Sequence, residues 1–305
     1  MKRFIRFCAI LLIGVAGFGI YKANNTLNIF DKYTLNKKPL NKNDVVKTNN
    51  KIKNKQTINL LLLGVDNGAL KRHFKGRSDT IMIFSINPKT KKSLLISIPR
   101  DMGAYMPGQR QAGLAKLNTA YMLNGPQGIA NGIKQKIKVP LDGYVTINMG
   151  GMEDLLKAVH GVHVKSNLTF TQDWYHFKKG HTYHLHGKKA LAYIRERHQD
   201  PLGDYGRQIR QKQVLKAITK KLTHSTVLLN QKKAKLIAKH IHSDLTKNDL
   251  LHLGLSYRQS LNHIKTDHLQ GHSQDVYNAN YGLMEIEDVN QKEAKRVTNL
   301  INQNK

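Results

Sequence analysis

Apolar residues in this chain gather into short runs, and each run stops at a charged residue. Ile58 to Val65 is nearly continuous and ends at Asp66. A bounded run of that length predicts a strand buried on both faces. Thr80 to Ile86 predicts a second strand and Ser93 to Ile98 a third. Asn87-Pro88-Lys89-Thr90 lies between them and is a turn signal, so these two strands are expected to pair as a hairpin. Asp142 to Ile147 predicts another strand. Met152 to His160 sets Leu155, Leu156 and Val159 on one helical face, which is expected to enter the core. Further helices are expected over Lys188 to Ile194 and, N-capped by Asp204, through Leu222. Gly125-Pro126-Gln127-Gly128 reads as a turn without a phosphate-loop pattern. Beyond residue 225 the periodicity is polar and helical, followed by a strand near Gly282 to Ile286.

The charges at the ends of these runs carry the chemistry. Asp79 opens the second strand and Arg100 closes the third, so a hairpin lays them side by side. If the first strand is also antiparallel to the second, Asp66 joins them. Asp66, Arg77, Asp79, Arg100 and Asp101 then share one sheet edge. Two aspartates suit Mg²⁺, which takes oxygen ligands and keeps positions open for phosphate; Mn²⁺ is the alternative ion. The competing reading is that both acids simply pair with the arginines beside them. Farther on, Arg195 and Arg197 would share one side if the backbone there is extended. Arg207, Arg210 and Gln211 share one face of a helix. Arginine offers a rigid planar fork that matches phosphate oxygens in pairs. Spacing alone does not bring the two groups together.

The N-terminus bears on compartment. Lys2, Arg3 and Arg6 accompany an apolar run from Phe4 to Tyr21, about 18 residues and so close to the minimum for a membrane span. The basic flank is expected to stay inside and the remainder to lie outside. Tyr21-Lys22-Ala23-Asn24 is a poor cleavage site, which favours an uncleaved anchor over a signal peptide. Asn24 to Gln56 is rich in Asn and Lys and reads as a tether, although part of it packing on the domain is an open alternative. The expected organisation is therefore an anchor at 1–23, a polar linker at 24–56 and one domain at 57–305.

Composition narrows the partners. The formal net charge of +30 calls for an anionic partner or a lysine-rich solvated surface. No helix-turn-helix or finger signature is present, and nucleic acid is not expected. The single cysteine, Cys8, leaves the fold without an internal disulfide. His176, His181, His184 and His186 match no standard metal spacing and are expected in an exposed loop.

Taken in order, the motifs resemble the LytR-CpsA-Psr family of bacterial cell-envelope proteins. Leu62-Leu63-Gly64-Val65-Asp66, Gly76-Arg77-Ser78-Asp79-Thr80 and Ser97-Ile98-Pro99-Arg100-Asp101 carry the first part. Lys116-Leu117-Asn118-Thr119-Ala120-Tyr121, Leu185 to Arg197 and Asp204 to Gln211 carry the rest, so the match runs over about residues 58 to 222. The resemblance implies a central, largely antiparallel mixed sheet with helices on both faces. It implies transfer of an anionic glycopolymer, wall teichoic acid or capsule, from undecaprenyl pyrophosphate to peptidoglycan. Under it, Asp66 and Asp79 match magnesium ligands. Arg77, Arg100, Arg195, Arg197 and Arg207 match a pyrophosphate clamp, with Gln211 beside it and Asp101 supporting. Two departures occur away from that site: His160-Gly161-Val162 replaces a usual Gly-Gly-Val, and Lys157 stands where an acid is common. Two other functions are the alternatives: a polyprenyl-pyrophosphate hydrolase on the same residues, and a non-catalytic wall-polymer-binding or regulatory protein that works through its +30 charge, against which the fixed Arg/Asp spacing argues.

Overall fold

In the computed structural model the first apolar run becomes β1 (Ile58–Asp66), the central spine of a six-stranded sheet. The structure describes residues 28, 31–32, 39–40, 44–66, 76–148, 152–196, 198–202, 206, 209–210, 213–214, 217–218, 221 and 231–304. β2 (Arg77–Asn87) lies antiparallel to β1, and β3 (Lys92–Ile98) returns antiparallel to β2 as the expected hairpin. On the other side β6 (Gly143–Asn148) runs parallel to β1, and β11 (Ile241–Ser243) pairs antiparallel with β6. β12 (Ile264–His268) closes the far side, parallel to β3. Three of the five pairings are thus antiparallel and two parallel, a mixed sheet. The parallel pair at the centre is possible because α2 (Thr119–Lys136) crosses over between β3 and β6.

Period-2 alternation splits the strands between two cores. Leu60, Leu62, Met82, Phe84 and Val145 face one; Leu61, Leu63, Ile81, Ile83 and Ile96 face the other. The first core is covered by α1 (Asp44–Lys53) through Ile52 and by α3 (Met152–Ala158) through Leu156. It is completed by α4 (Gly187–Arg195) through Ala190 and Tyr193. The second is covered by α2 through Ile129 and Ile133 and by α7 (Gln291–Gln303) through Val297 and Ile301. Both faces of the sheet are dry, which is why the central strands read as unbroken apolar runs. Each buried Leu or Ile contributes about 1.5–3 kcal/mol.

Several expectations are modified. The expected polar linker is helical over Asp44–Lys53 and packed against the domain: Ile52 is fully buried, Lys51 pairs with Asp142, and the Tyr257 hydroxyl donates to the Gln56 carbonyl at 2.6 Å. The low-hydropathy segment hid this because one buried isoleucine per helix leaves little periodicity. The expected turn at 125–128 is a kink inside α2: Asn124 and Gly125 leave helical geometry, and the helix resumes at Pro126, whose fixed φ suits a first helical position. His176 and His184 lie on short strands, β9 (Tyr175–Phe177) and β10 (Thr182–Leu185), where a loop was expected. No helix among the described residues is long and apolar enough to cross a membrane. The expected anchor at 1–23 lies outside them.

Candidate active site

The parallel β1 and β6 end on the same edge of the sheet at which β2 begins and β3 ends. The ladder between β1 and β2 is irregular there. Gly64 faces Thr80 but Val65 faces Ser78, so Asp79 is one extra residue, a β-bulge. The buried Ser78 side chain fastens the bulge. Its hydroxyl bridges the carbonyls of Gly64 and Thr80, at 3.3 and 3.0 Å. The small residues of the Gly-Arg-Ser-Asp-Thr block therefore have a shape role: they let the strand bend where the acid must stand.

Past the last β3 pair, Arg100 reaches back to this bulge. Its Nη1 donates to Asp79 Oδ1 at 3.1 Å, and its Nε lies 3.5 Å from Asp101 Oδ2. Lys116 reaches the other Asp101 oxygen at 3.4 Å from β5 (Leu114–Lys116). The Arg100 carbonyl accepts from the Asn118 N–H at 2.9 Å, which locks the start of α2 to the same corner. Asp66 is the register partner of Arg77 in the ladder. Arg77 is exposed, and its Nε lies 3.4 Å from the Met122 sulfur on α2. Beneath, Tyr121 bonds to Thr146, and burial pushes its hydroxyl pKa up more than that bond lowers it. The edge thus places Asp66, Arg77, Asp79, Arg100, Asp101 and Lys116 together.

These ion pairs are partly exposed, so each is worth only about 0.2–1 kcal/mol of stability. Their effect is on orientation. Two carboxylates hold Arg100, Asp79 at Nη1 and Asp101 at Nε, and so fix the direction of its guanidinium. The lysine was visible in the sequence as the head of the Lys116-Leu117-Asn118 block but carried no role there, because nothing local shows that it sits across from Asp101. Ser78 was missed for the same reason.

The second arginine group is built differently. Arg195 ends α4, and Glu196 turns to extended backbone with φ −56° and ψ 132°. Glu196 is buried and accepts from the Gln199 N–H at 2.6 Å. Arg210, expected on a shared face with Arg207 and Gln211, turns inward. It is fully buried, donates to the Asp200 carboxylate and the Glu196 carbonyl, and stacks 5.3 Å from the Phe170 ring centroid. Desolvation opposes the charge on Asp200, but the Arg210 bond, the Leu202 N–H and the Arg210 charge outweigh it and hold the carboxyl below its usual pKa. Gly206 is needed here, since a Cβ would come within 1.8 Å of the Asp200 carboxylate. Arg210 is thus the strut of the segment that follows Arg195, from Glu196 to Asp200. Arg197, Arg207 and Gln211, and the side chain of Asp66, lie outside the described residues.

Asp66 and Asp79 offer only oxygen donors, and no cluster of three or more His, Cys, Asp or Glu occurs among the described residues. Such a donor set fits a hard ion that keeps water or phosphate for most of its shell.

A three-layer α/β fold that gathers forked cations and aspartates on one sheet edge is a scaffold for handling phosphate esters. The LytR-CpsA-Psr family model matches residues 21–300, and the chain belongs to that family. Among its relatives, the polyisoprenyl-teichoic acid–peptidoglycan teichoic acid transferase TagU of Enterococcus faecalis is 38% identical over 221 residues, 72% of each chain. The protein of the same name from Bacillus anthracis is 35% identical over 266 residues, 86% of each. Of solved structures, B. subtilis TagV superposes with a TM-score of 0.61 at 27% identity, covering 82% of this chain and 97% of that one. A structure of TagT bound to LIIa-WTA gives 0.56 at 25% identity, with 81% and 90% covered.

Proposed function

We propose that this protein transfers teichoic acid from a polyisoprenyl carrier to peptidoglycan, as its relatives are named for doing. The observation that carries the reading is Arg100, fixed at the sheet edge between Asp79 and Asp101 and only partly buried there. A peptidoglycan hydroxyl oxygen attacks the polymer-linked phosphorus of a polyprenyl pyrophosphate. The bond from that phosphorus to the bridging oxygen breaks, polyprenyl phosphate departs, and the hydroxyl proton passes to solvent. Negative charge grows on the bridging and equatorial oxygens. Arg77 and Arg100 stabilise it from the sheet edge, and Arg195, Arg197, Arg207 and Gln211 complete the clamp. Asp101 and Lys116 hold Arg100 in place. Asp66 and Asp79 would hold Mg²⁺ or Mn²⁺, which would neutralise phosphate charge. Chemistry of this kind rests on positioning and electrostatics more than on a general base.

The basic flank and apolar run at 1–21 support a membrane-anchored protein with its domain outside the cell, where both carrier and acceptor are found. The direct test supplies lipid-linked teichoic acid and peptidoglycan to the full chain and looks for the covalent adduct. Arg100→Ala that folds and forms adduct at the normal rate would sink the assignment. Release of free polymer with no adduct would instead make the protein a hydrolase.

A further inference from the structure

β13 (His272–Asn278) and β14 (Gly282–Asp288) form a two-stranded ribbon outside the main sheet. One face packs inward through Ile286 and Asn278, both nearly fully buried. It lies close against β4 (Gly103–Tyr105): a Cβ on Gly103 would come within 2.5 Å of Ile286. The other face carries Tyr277 and Leu283, which are register partners and are 72% and 74% exposed. Two more aromatic side chains border the tip. Tyr281 is exposed and hydrogen-bonds Gln109, and Tyr105 is covered on one side by Arg110.

Beside them Asp275 sits directly opposite Glu285. Like charges in that position destabilise a ribbon. The chain has 50 basic and 20 acidic residues, so an exposed acidic pair is against its general character. The ribbon is also joined to the phosphate edge. The Glu287 N–H donates to the Asp101 carbonyl at 2.8 Å, and Met102 bridges to Glu287. Leu283 lies four steps along the strand from Glu287, so the aromatic patch begins about 13 Å from the Asp101 contact.

We infer that the outer face of this ribbon is the docking surface for the peptidoglycan acceptor. The inference rests on the transferase reading above. An aromatic and an aliphatic side chain, paired and nearly three-quarters exposed, form an apolar spot with polar neighbours, the kind of surface a binding partner covers. The acids beside this one repel a teichoic acid donor, whose phosphates belong with the arginines. Peptidoglycan has the complementary chemistry: sugar rings present apolar C–H faces to aromatic side chains, and peptide stems present amines to Asp275 and Glu285. Donor and acceptor thus approach one corner from surfaces of opposite charge.

The test uses the full chain and sacculi stripped of their anionic polymer. Tyr277→Ser with Leu283→Ser is expected to weaken sacculus binding about tenfold, the loss typical of truncating an aromatic anchor. Leu255→Ser, at an exposed leucine outside the ribbon, is expected to leave binding unchanged. Unchanged binding by the double variant overturns the inference. So does a wild-type protein that binds sacculi only while the anionic polymer remains attached, since the ribbon would then not be reading peptidoglycan. Arg100→Ala separates the two levels: it should bind sacculi normally and lose transfer. Persistent transfer in that variant would remove Arg100 from the site, and a wild-type protein that forms no adduct would remove the transferase reading itself, whatever the sacculi show.

Discussion

Two arginine–aspartate pairs in this molecule use the same groups for opposite ends. Arg100–Asp79 stands at the sheet edge with side-chain exposures of 27% and 29%; Arg210–Asp200 is interior at 0% and 5%. At the edge, water screens the pair, its contribution to stability is small, and the guanidinium stays within reach of solvent. In the interior nothing competes for either partner, so the pair is structural and closed. A bridge that is half wet can be spent on binding, whereas a dry one fixes a loop.

The largest expected effect tests the dry pair. Arg210→Ala leaves the Asp200 carboxylate buried and unpaired, which should cost about 3–5 kcal/mol. Urea unfolding reads it, and an unmoved midpoint would break the contrast. Next is the wet pair. Arg100→Ala should lower the transfer rate about 10²–10³-fold, by analogy with the loss of one transition-state donor, while stability shifts by less than about 1 kcal/mol. A variant that melts early would make Arg100 a second strut.

A carboxylate away from both pairs supplies a third test. Asp244 accepts from the N–H groups of Tyr144, at 2.7 Å, and Leu40, at 3.2 Å. Burial pushes its pKa up to about 6, more than these bonds lower it. The folded protein therefore holds this proton more tightly than the unfolded chain. The stability contribution is fully present below about pH 4 and is lost as pH rises through about 6, by up to about 3 kcal/mol. Melting across that range should show the fall, and Asp244→Asn should flatten it. Asp200 is shifted the other way, so its contribution is lost only on acidification below pH 4. A fall that survives in Asp244→Asn would place the titration elsewhere.

The smallest effect concerns His160, which adopts φ 55° next to Gly161 at φ 70°. The left-handed region costs a residue with a Cβ about 1 kcal/mol, offset in part by the freedom glycine adds to the unfolded chain. His160→Gly should raise stability by less than about 1 kcal/mol in thermal melts. The left-handed His160 is a backbone cost borne outside the phosphate edge.

The first hairpin and the Asp79–Arg100 neighbourhood were legible in the sequence because strand ends and a turn place residues by local rules. The helix from 187 to 195 was legible from its pattern. The fate of Arg210 was not, since helical spacing says which residues share a face but not which way that face points. Its inward turn depends on Asp200, on the glycine at 206 and on Phe170, three residues that no periodicity links. The β13–β14 ribbon was read only in part. Its inner face has few apolar residues, and His272-Ser273-Gln274-Asp275 reads as polar loop until paired. The docking of residues 44–53 was hidden similarly, in a helix anchored mainly by Ile52 and by Lys51 on Asp142.

The bulge at Asp79 has a consequence for how this protein can vary. The edge depends on a strand whose residue count is odd by one relative to its neighbour. Removing a single residue between Arg77 and Thr80 would restore a regular ladder and reverse the parity of whatever precedes it. Conservative exchanges within the strand are therefore far safer than any change of length. Insertions and deletions, the commonest route by which loops drift apart, are closed to this segment, and the register of β2 is as much a part of the site as the acid it carries.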